Sequence, residues 1–150
     1  MSVESIKILG VGSSRVVIDN GDNTVTKVSY NPKGIEQNKL EWKFKNDNNT
    51  LLAKIYDHSE DWTCILMEKA EPISKKRFQE LSGYDMVAFQ RVMKNIFNEG
   101  ENNQLIISIR MFMEKNHILQ SPDMMKSDSW GEIDGRLVLI DYGWHNKYGS

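Results

Sequence analysis

Gly135-Arg136-Leu137-Val138-Leu139-Ile140-Asp141-Tyr142-Gly143 reads as a turn, a buried strand, and then an acidic residue beside a glycine. Asp134-Gly135 is a turn pair. Leu137 to Ile140 is a short unbroken apolar run, the pattern of a strand covered on both faces. A carboxylate directly after such a strand stands at the mouth of the core, held rigidly while facing outward, which suits a magnesium ligand. Gly143 lets the backbone turn away. Many αβ proteins end a core strand in Asp, so this stretch is read together with what lies upstream.

Working outward, the 150 residues suit one domain with a modest core. The net charge of −2 implies no general attraction to nucleic acid. Cys64 is the single cysteine, so no internal disulfide framework is available, and a reducing, cytoplasmic setting is expected. No apolar run reaches membrane-spanning length, and Met1 to Lys7 does not read as a signal peptide.

In chain order, Ile6 to Leu9 is followed by the small-residue loop Gly10-Val11-Gly12-Ser13-Ser14. Arg15 to Asp19 and Thr24 to Tyr30 are β-rich and flank the hairpin turn Asn20-Gly21-Asp22-Asn23. Asn31-Pro32-Lys33-Gly34 is expected to break the chain, and Ile35 to Phe44 to form a helix ended by Asn46 to Asn49. Two further strands are expected at Leu51–Asp57 and Trp62–Glu68, with a turn at His58–Asp61. After the connector Ala70-Glu71-Pro72-Ile73 the texture becomes helical: Lys76–Leu81, Tyr84–Asn98 and Gln104–His117, with a loop at Gly100–Asn103. Trp42, Trp62, Trp130 and Trp144 are expected to be packing anchors. His58, His117 and His145 lie far apart and show no metal spacing.

Arranged this way, the chain resembles the protein-kinase-like fold family in a very short form. Gly10-Val11-Gly12-Ser13-Ser14-Arg15-Val16-Val17 is similar to the glycine-rich loop G-x-G-x-x-G-x-V, with Arg15 in place of the third glycine. The loop leads into a strand, not a helix, which argues against a dinucleotide-binding unit. Val25-Thr26-Lys27 resembles the strand-three V-x-K; Glu36 and Glu41 both lie in the following helix as partners for Lys27, with Glu41 preferred for a mid-helix position. Ile65-Leu66-Met67-Glu68-Lys69-Ala70 resembles the last strand running into a hinge, and Asp123 to Asp128 keeps the D-x-x-x-x-N spacing, with Ser121-Pro122 where His-Arg is usual. Asp141-Tyr142-Gly143 corresponds to D-F-G.

The resemblance implies an α+β, two-lobed minimal kinase-like domain. Its N-lobe would cover about residues 1–69, an antiparallel sheet with one helix; a hinge would span about 68–74, and a reduced, mostly helical C-lobe about 75–150. It implies ATP and Mg2+ as cofactors. Gly10, Gly12, Ser13, Ser14, Val17, Lys27, Met67 as gatekeeper, Glu68 and Ala70 would bind nucleotide in a cleft between lobes. Lys27 and Glu41 would act with Asp123 as proton acceptor and Lys126 as charge neutraliser. Asp141, with Asp128 or Ser129, would hold the metal.

Small proteins of this look occur among bacteriophage genes, which would place the chain in a host cytoplasm. The sequence ends seven residues past Gly143, where family members continue with helices that dock a peptide. The expected function is therefore phosphoryl transfer to a protein bound through another surface, or to the protein itself. The alternatives are a degenerate binding module that contacts a host protein and a nucleotide-binding switch without turnover. Neither nucleic acid nor membrane is an expected partner.

Overall fold

The computed structural model describes residues 6–47, 50–98, 103–119 and 122–143. The expectations for Asn48, Asn49, Gly100, Glu101, Asn102, Ser121, Trp144 and His145 lie outside the described residues. The chain divides into two compact units: the described residues of 1–48, 53–69 and 142–144 form one, and those of 49–52, 70–141 and 145–150 the other. No helix among the described residues is long and apolar enough to cross a membrane.

The first unit is an antiparallel sheet of β1 (Lys7–Val11), β2 (Arg15–Asp19), β3 (Thr24–Ser29), β4 (Ile55–His58) and β5 (Cys64–Glu68), in the order β1-β2-β3-β5-β4. One helix, α1 (Pro32–Trp42), lies between β3 and β4 in the chain. The expected break at Asn31–Gly34 is instead the helix start. Asn31 caps it, its side chain accepting from Gly34 N at 2.9 Å, and Pro32 takes the first helical position, where a missing N–H costs nothing.

The buried stripe of α1 is Gly34, Asn38 and Glu41, not the apolar Ile35, Leu40 and Trp42. Gly34 is required by close approach: a Cβ there would meet Ser14 O and Ser29 Oγ at 2.4 Å each. Gly34→Ala is therefore expected to cost about 1–3 kcal/mol through overpacking, read as a lower urea midpoint.

The expected strand Leu51–Asp57 splits. Leu139 N donates to Leu51 O at 2.7 Å and Leu52 pairs in parallel with Leu139, so residues 50–52 serve the second unit, while Ile55–His58 joins β5. Trp62 leaves the strand expected for it: with φ of 64° it closes the β4–β5 turn, stacked on His58 at 3.7 Å, with Trp42 edge-on to both rings.

The second unit holds α2 (Lys75–Ser82), α3 (Met86–Lys94) and α4 (Gln104–Lys115), all capped by side chains. It also holds a small antiparallel sheet of β6 (Glu71–Pro72), β7 (Trp130–Ile133) and β8 (Arg136–Leu139). β7 carries no strand signal in the sequence; it pairs Trp130 to Leu139 and Gly131 to Val138. Gly131 fits because a Cβ would stand 2.7 Å from the Ala70 side chain. The core gathers Phe78, Phe89 and Trp130 edge to face, with Ile106, Ile109, Phe112 and Met113 from α4.

Candidate functional site

Lys27 stands mid-strand in β3, opposite Val17 of β2 and Ile65 of β5, and is 5% exposed. Its ammonium donates to both oxygens of Glu41, at 3.0 and 3.2 Å. Glu41, fully buried, sits in the last turn of α1, not at its middle. Glu36 is exposed on the same helix.

A second cation reaches the same carboxylate. Arg15, 7% exposed, donates to Glu41 at 2.5 Å and to Asn38 Oδ1 at 3.0 Å. Asn38 in turn donates to Trp62 O at 2.8 Å. The residue standing where the loop pattern has its third glycine thus braces the acid at the far end of α1. Sequence reasoning noted Arg15 only as a departure. The signal available was a charged residue at the start of a β-branched strand, beside a helix whose inward stripe is polar.

A main-chain group completes the set: Tyr142 N donates to Glu41 Oε2 at 3.0 Å. The Tyr142 hydroxyl donates to Ala53 O at 2.7 Å, and its ring lies edge-on to Phe44. Burial first, and then the nearby charge of Glu41, push that hydroxyl far above the ordinary tyrosine range. Gly143 is needed for proximity more than for turning, because a Cβ would stand 2.6 Å from Gln37 O. Tyr142 and Gly143 are thereby seated against α1, and Asp141 is the residue before them.

Burial alone would raise the Glu41 carboxyl. The charge of Lys27, the charge and hydrogen bond of Arg15, and the Tyr142 amide outweigh it and bring the group from 4.5 down to about 2. The folded value lies below the unfolded one. The stabilisation is therefore complete above about pH 4.5 and is lost as pH falls toward about 2. Urea midpoints measured downward from neutral pH should fall through that window, and Glu41→Gln should flatten this part of the profile.

In the second unit, two short 3₁₀ turns, Pro122–Met125 and Ser127–Ser129, hold the acidic loop. Trp130 Nε1 anchors it by donating to Met124 O at 2.8 Å. Asp123 and Lys126 face each other at 3.4 Å, with side chains 45% and 64% exposed, a weak solvated pair. Asp128 is exposed and Ser129 buried. Ile140 N donates to Ser129 O at 2.9 Å, which brings the loop beside the residue that precedes Asp141. Asp141 is exposed at the end of β8. Among the described residues no three His, Cys, Asp or Glu side chains converge as a metal cage.

The residues expected to form a hinge are divided between the two units. Met67 is 1% exposed in β5, and Glu68 N donates to Lys54 O at 2.8 Å. Lys69, in the first unit, is tied to Asp19 at 3.0 Å, and Ala70 belongs to the second unit.

The fold is α+β. Its first unit is a five-stranded antiparallel sheet with α1 between β3 and β4 in the chain, and the buried Lys27–Glu41 pair joins β3 to that helix. No protein-family model matches the sequence, nor does any curated protein. Several solved structures overlay on it. One is an aminoglycoside phosphotransferase, APH(2'')-IIa, in a ternary complex with streptomycin and ATP, at 14% identity and TM-score 0.48, covering 95% of this chain and 66% of that one. Another is the ADP-bound aminoglycoside phosphotransferase APH(2'')-Ib, at 15% and 0.48, covering 95% and 67%. A third is the choline kinase LicA from Streptococcus pneumoniae, at 14% and 0.46, covering 95% and 64%. The chain spans about two thirds of the length of these structures.

Proposed function

We propose that this chain binds Mg-ATP and transfers its terminal phosphoryl group to a hydroxyl acceptor. One observation carries the reading: a single buried carboxylate, Glu41, gathers the ammonium of Lys27 and the amide of Tyr142, next to Asp141 in the chain.

The residues fit such a ligand. Ser14 Oγ is buried without a hydrogen-bond partner among the described residues. Neither Gly10 nor Gly12 has a positive φ. A Cβ on Gly10 would meet nothing within 4 Å and one on Gly12 only Arg15 O at 3.6 Å, so neither packing nor backbone conformation demands these glycines and the loop has room beside it. Asp141 supplies hard oxygen, and magnesium commonly takes one or two carboxylates together with phosphates and water, so a three-carboxylate cage is not needed.

When bound, Mg-ATP supplies the phosphoryl group and the positive charge that offsets its developing negative charge. The chain's own groups position and polarise. Gly10, Gly12, Ser13, Ser14 and Val17 line the phosphate side, and Lys27, held by Glu41, orients the phosphates. Met67 bounds the adenine side, with the carbonyl of Glu68 and the amide of Ala70 as its polar edge, because the Glu68 N–H is already engaged by Lys54 O. Asp141, with Asp128 or Ser129, holds the metal. Asp123 accepts the proton of the attacking hydroxyl, and Lys126 offsets charge on the transferred group.

The acceptor in this reading is a protein, either a partner or the chain itself. Incubation with γ-labelled ATP, Mg2+ and a cell lysate should transfer label to a protein band. Label confined to free phosphate would reject a protein acceptor. Ser121-Pro122 in place of His-Arg favours a second reading, a non-catalytic binding module. That module would recover its partner equally well after Lys27→Ala, whereas a nucleotide-dependent complex would not.

A further inference from the structure

The glycine loop between β1 and β2 is held from one side by the two residues that join β3 to α1. All three successive carbonyls are engaged. Tyr30 Oη donates to Gly12 O, Asn31 Nδ2 donates to Ser13 O at 3.2 Å, and Tyr30 N donates to Ser14 O at 3.1 Å. The loop is also closed on itself, Gly12 N donating to Arg15 O at 2.8 Å. The holding dipeptide is itself braced: Ser29 Oγ donates to Asn31 O at 2.5 Å, and Asn31 Oδ1 accepts from Gly34 N at 2.9 Å as the cap of α1.

A trans peptide sets its N–H opposite its C=O. Carbonyls of Gly12 and Ser13 that face Tyr30 and Asn31 therefore turn the amides of Ser13 and Ser14 the other way. Those amides are the groups a glycine loop offers to phosphate oxygens. Fixing them beforehand removes part of the ordering cost that an open loop bears when ligand arrives.

We propose that Tyr30 and Asn31 are positioning residues that hold the Gly12–Ser14 loop in its phosphate-binding shape before nucleotide binds. This rests on the reading of that loop as the phosphate site. Asn31 performs two separable tasks, since Oδ1 caps α1 while Nδ2 holds the loop. Serine caps a helix about as well as asparagine and adds no charge, but it lacks the second donor. Tyr30→Phe removes only the hydroxyl that reaches Gly12.

The test is calorimetric titration of the full chain, wild type, Tyr30→Phe and Asn31→Ser, with Mg-ATP, Mg-ADP and adenosine, alongside each melting temperature. Each variant is expected to bind Mg-ATP and Mg-ADP roughly three- to tenfold more weakly, the loss of one hydrogen bond's net contribution. Adenosine affinity is expected to stay at the wild-type value, and the Asn31→Ser melting temperature to fall by no more than the few degrees that one exposed hydrogen bond is worth. Wild-type protein that binds no Mg-ATP overturns the loop reading beneath the proposal. Wild type that binds while both variants bind Mg-ATP equally tightly overturns the positioning role alone. So does an equal loss for adenosine, which would mark a merely structural part.

Discussion

Glu41→Gln is expected to lower stability by about 3–5 kcal/mol, because it leaves Lys27 and Arg15 buried beside a neutral amide. That is a large share of the roughly 5–15 kcal/mol that holds a domain together. Glutamine keeps the volume and one acceptor oxygen, so packing is not the cause. The loss comes from charge: two cations keep their desolvation cost without the anion that offset it. The amide nitrogen also turns a donor toward groups that already donate. Urea unfolding measures the difference, and Glu36→Gln, an exposed change on the same helix, is expected to stay within about 0.5 kcal/mol. Equal midpoints for the two variants would show that the Glu41 cluster is not a structural hub. Tyr142 N loses its charged acceptor in folded Glu41→Gln, so activity is expected to fall even at temperatures where the variant remains folded.

Asp141→Ala is expected to leave the urea midpoint within about 0.5 kcal/mol of wild type, because the side chain is exposed. Phosphoryl transfer should fall by about a thousandfold or more, the several kcal/mol that a held metal contributes to stabilising transition-state charge. The separation of the two readouts identifies the role. A residue that merely ends a core strand would change neither. A structural residue would change the midpoint first, and activity only in step with the folded fraction. Label transferred at the wild-type rate by Asp141→Ala would remove Asp141 from metal binding and leave β8 as a plain core strand.

The parts legible in the sequence were those with strong local signatures. The hairpin around Asn20–Asn23 and the β-branched runs gave β2 and β3, and Lys27 fell in place because register follows from a short hairpin. Glu41 is the partner of Lys27, but not through a mid-helix position, since it lies in the last turn of α1. It is selected because Gly34, Asn38 and Glu41 share one helical stripe, whose polarity is satisfied by groups distant in sequence. A hydrophobic-period reading cannot see a buried face made of glycine, amide and carboxylate. Arg15 was hidden for the same reason: its value lies in a contact 26 residues away. Asn31–Gly34 carried break signals that are equally helix-start signals, and only the cap decides between them. β7 was missed because Trp130 and Gly131 lack strand periodicity and are fixed by pairing with β8. The acidic loop 123–129 was legible as spacing, whereas its two 3₁₀ turns and the indole anchor of Trp130 arise from tertiary contacts.

Thermal unfolding under rising Mg-ATP tests most directly whether Lys27 serves a nucleotide. Ligand that binds only the folded chain raises stability as RT ln(1 + [L]/Kd), about 2.7 kcal/mol at a hundredfold excess over Kd. A saturable rise in melting temperature is expected for wild type, with none for Lys27→Ala measured against its own baseline. A wild-type melting temperature that stays flat up to millimolar Mg-ATP would contradict nucleotide binding, and with it the phosphotransferase.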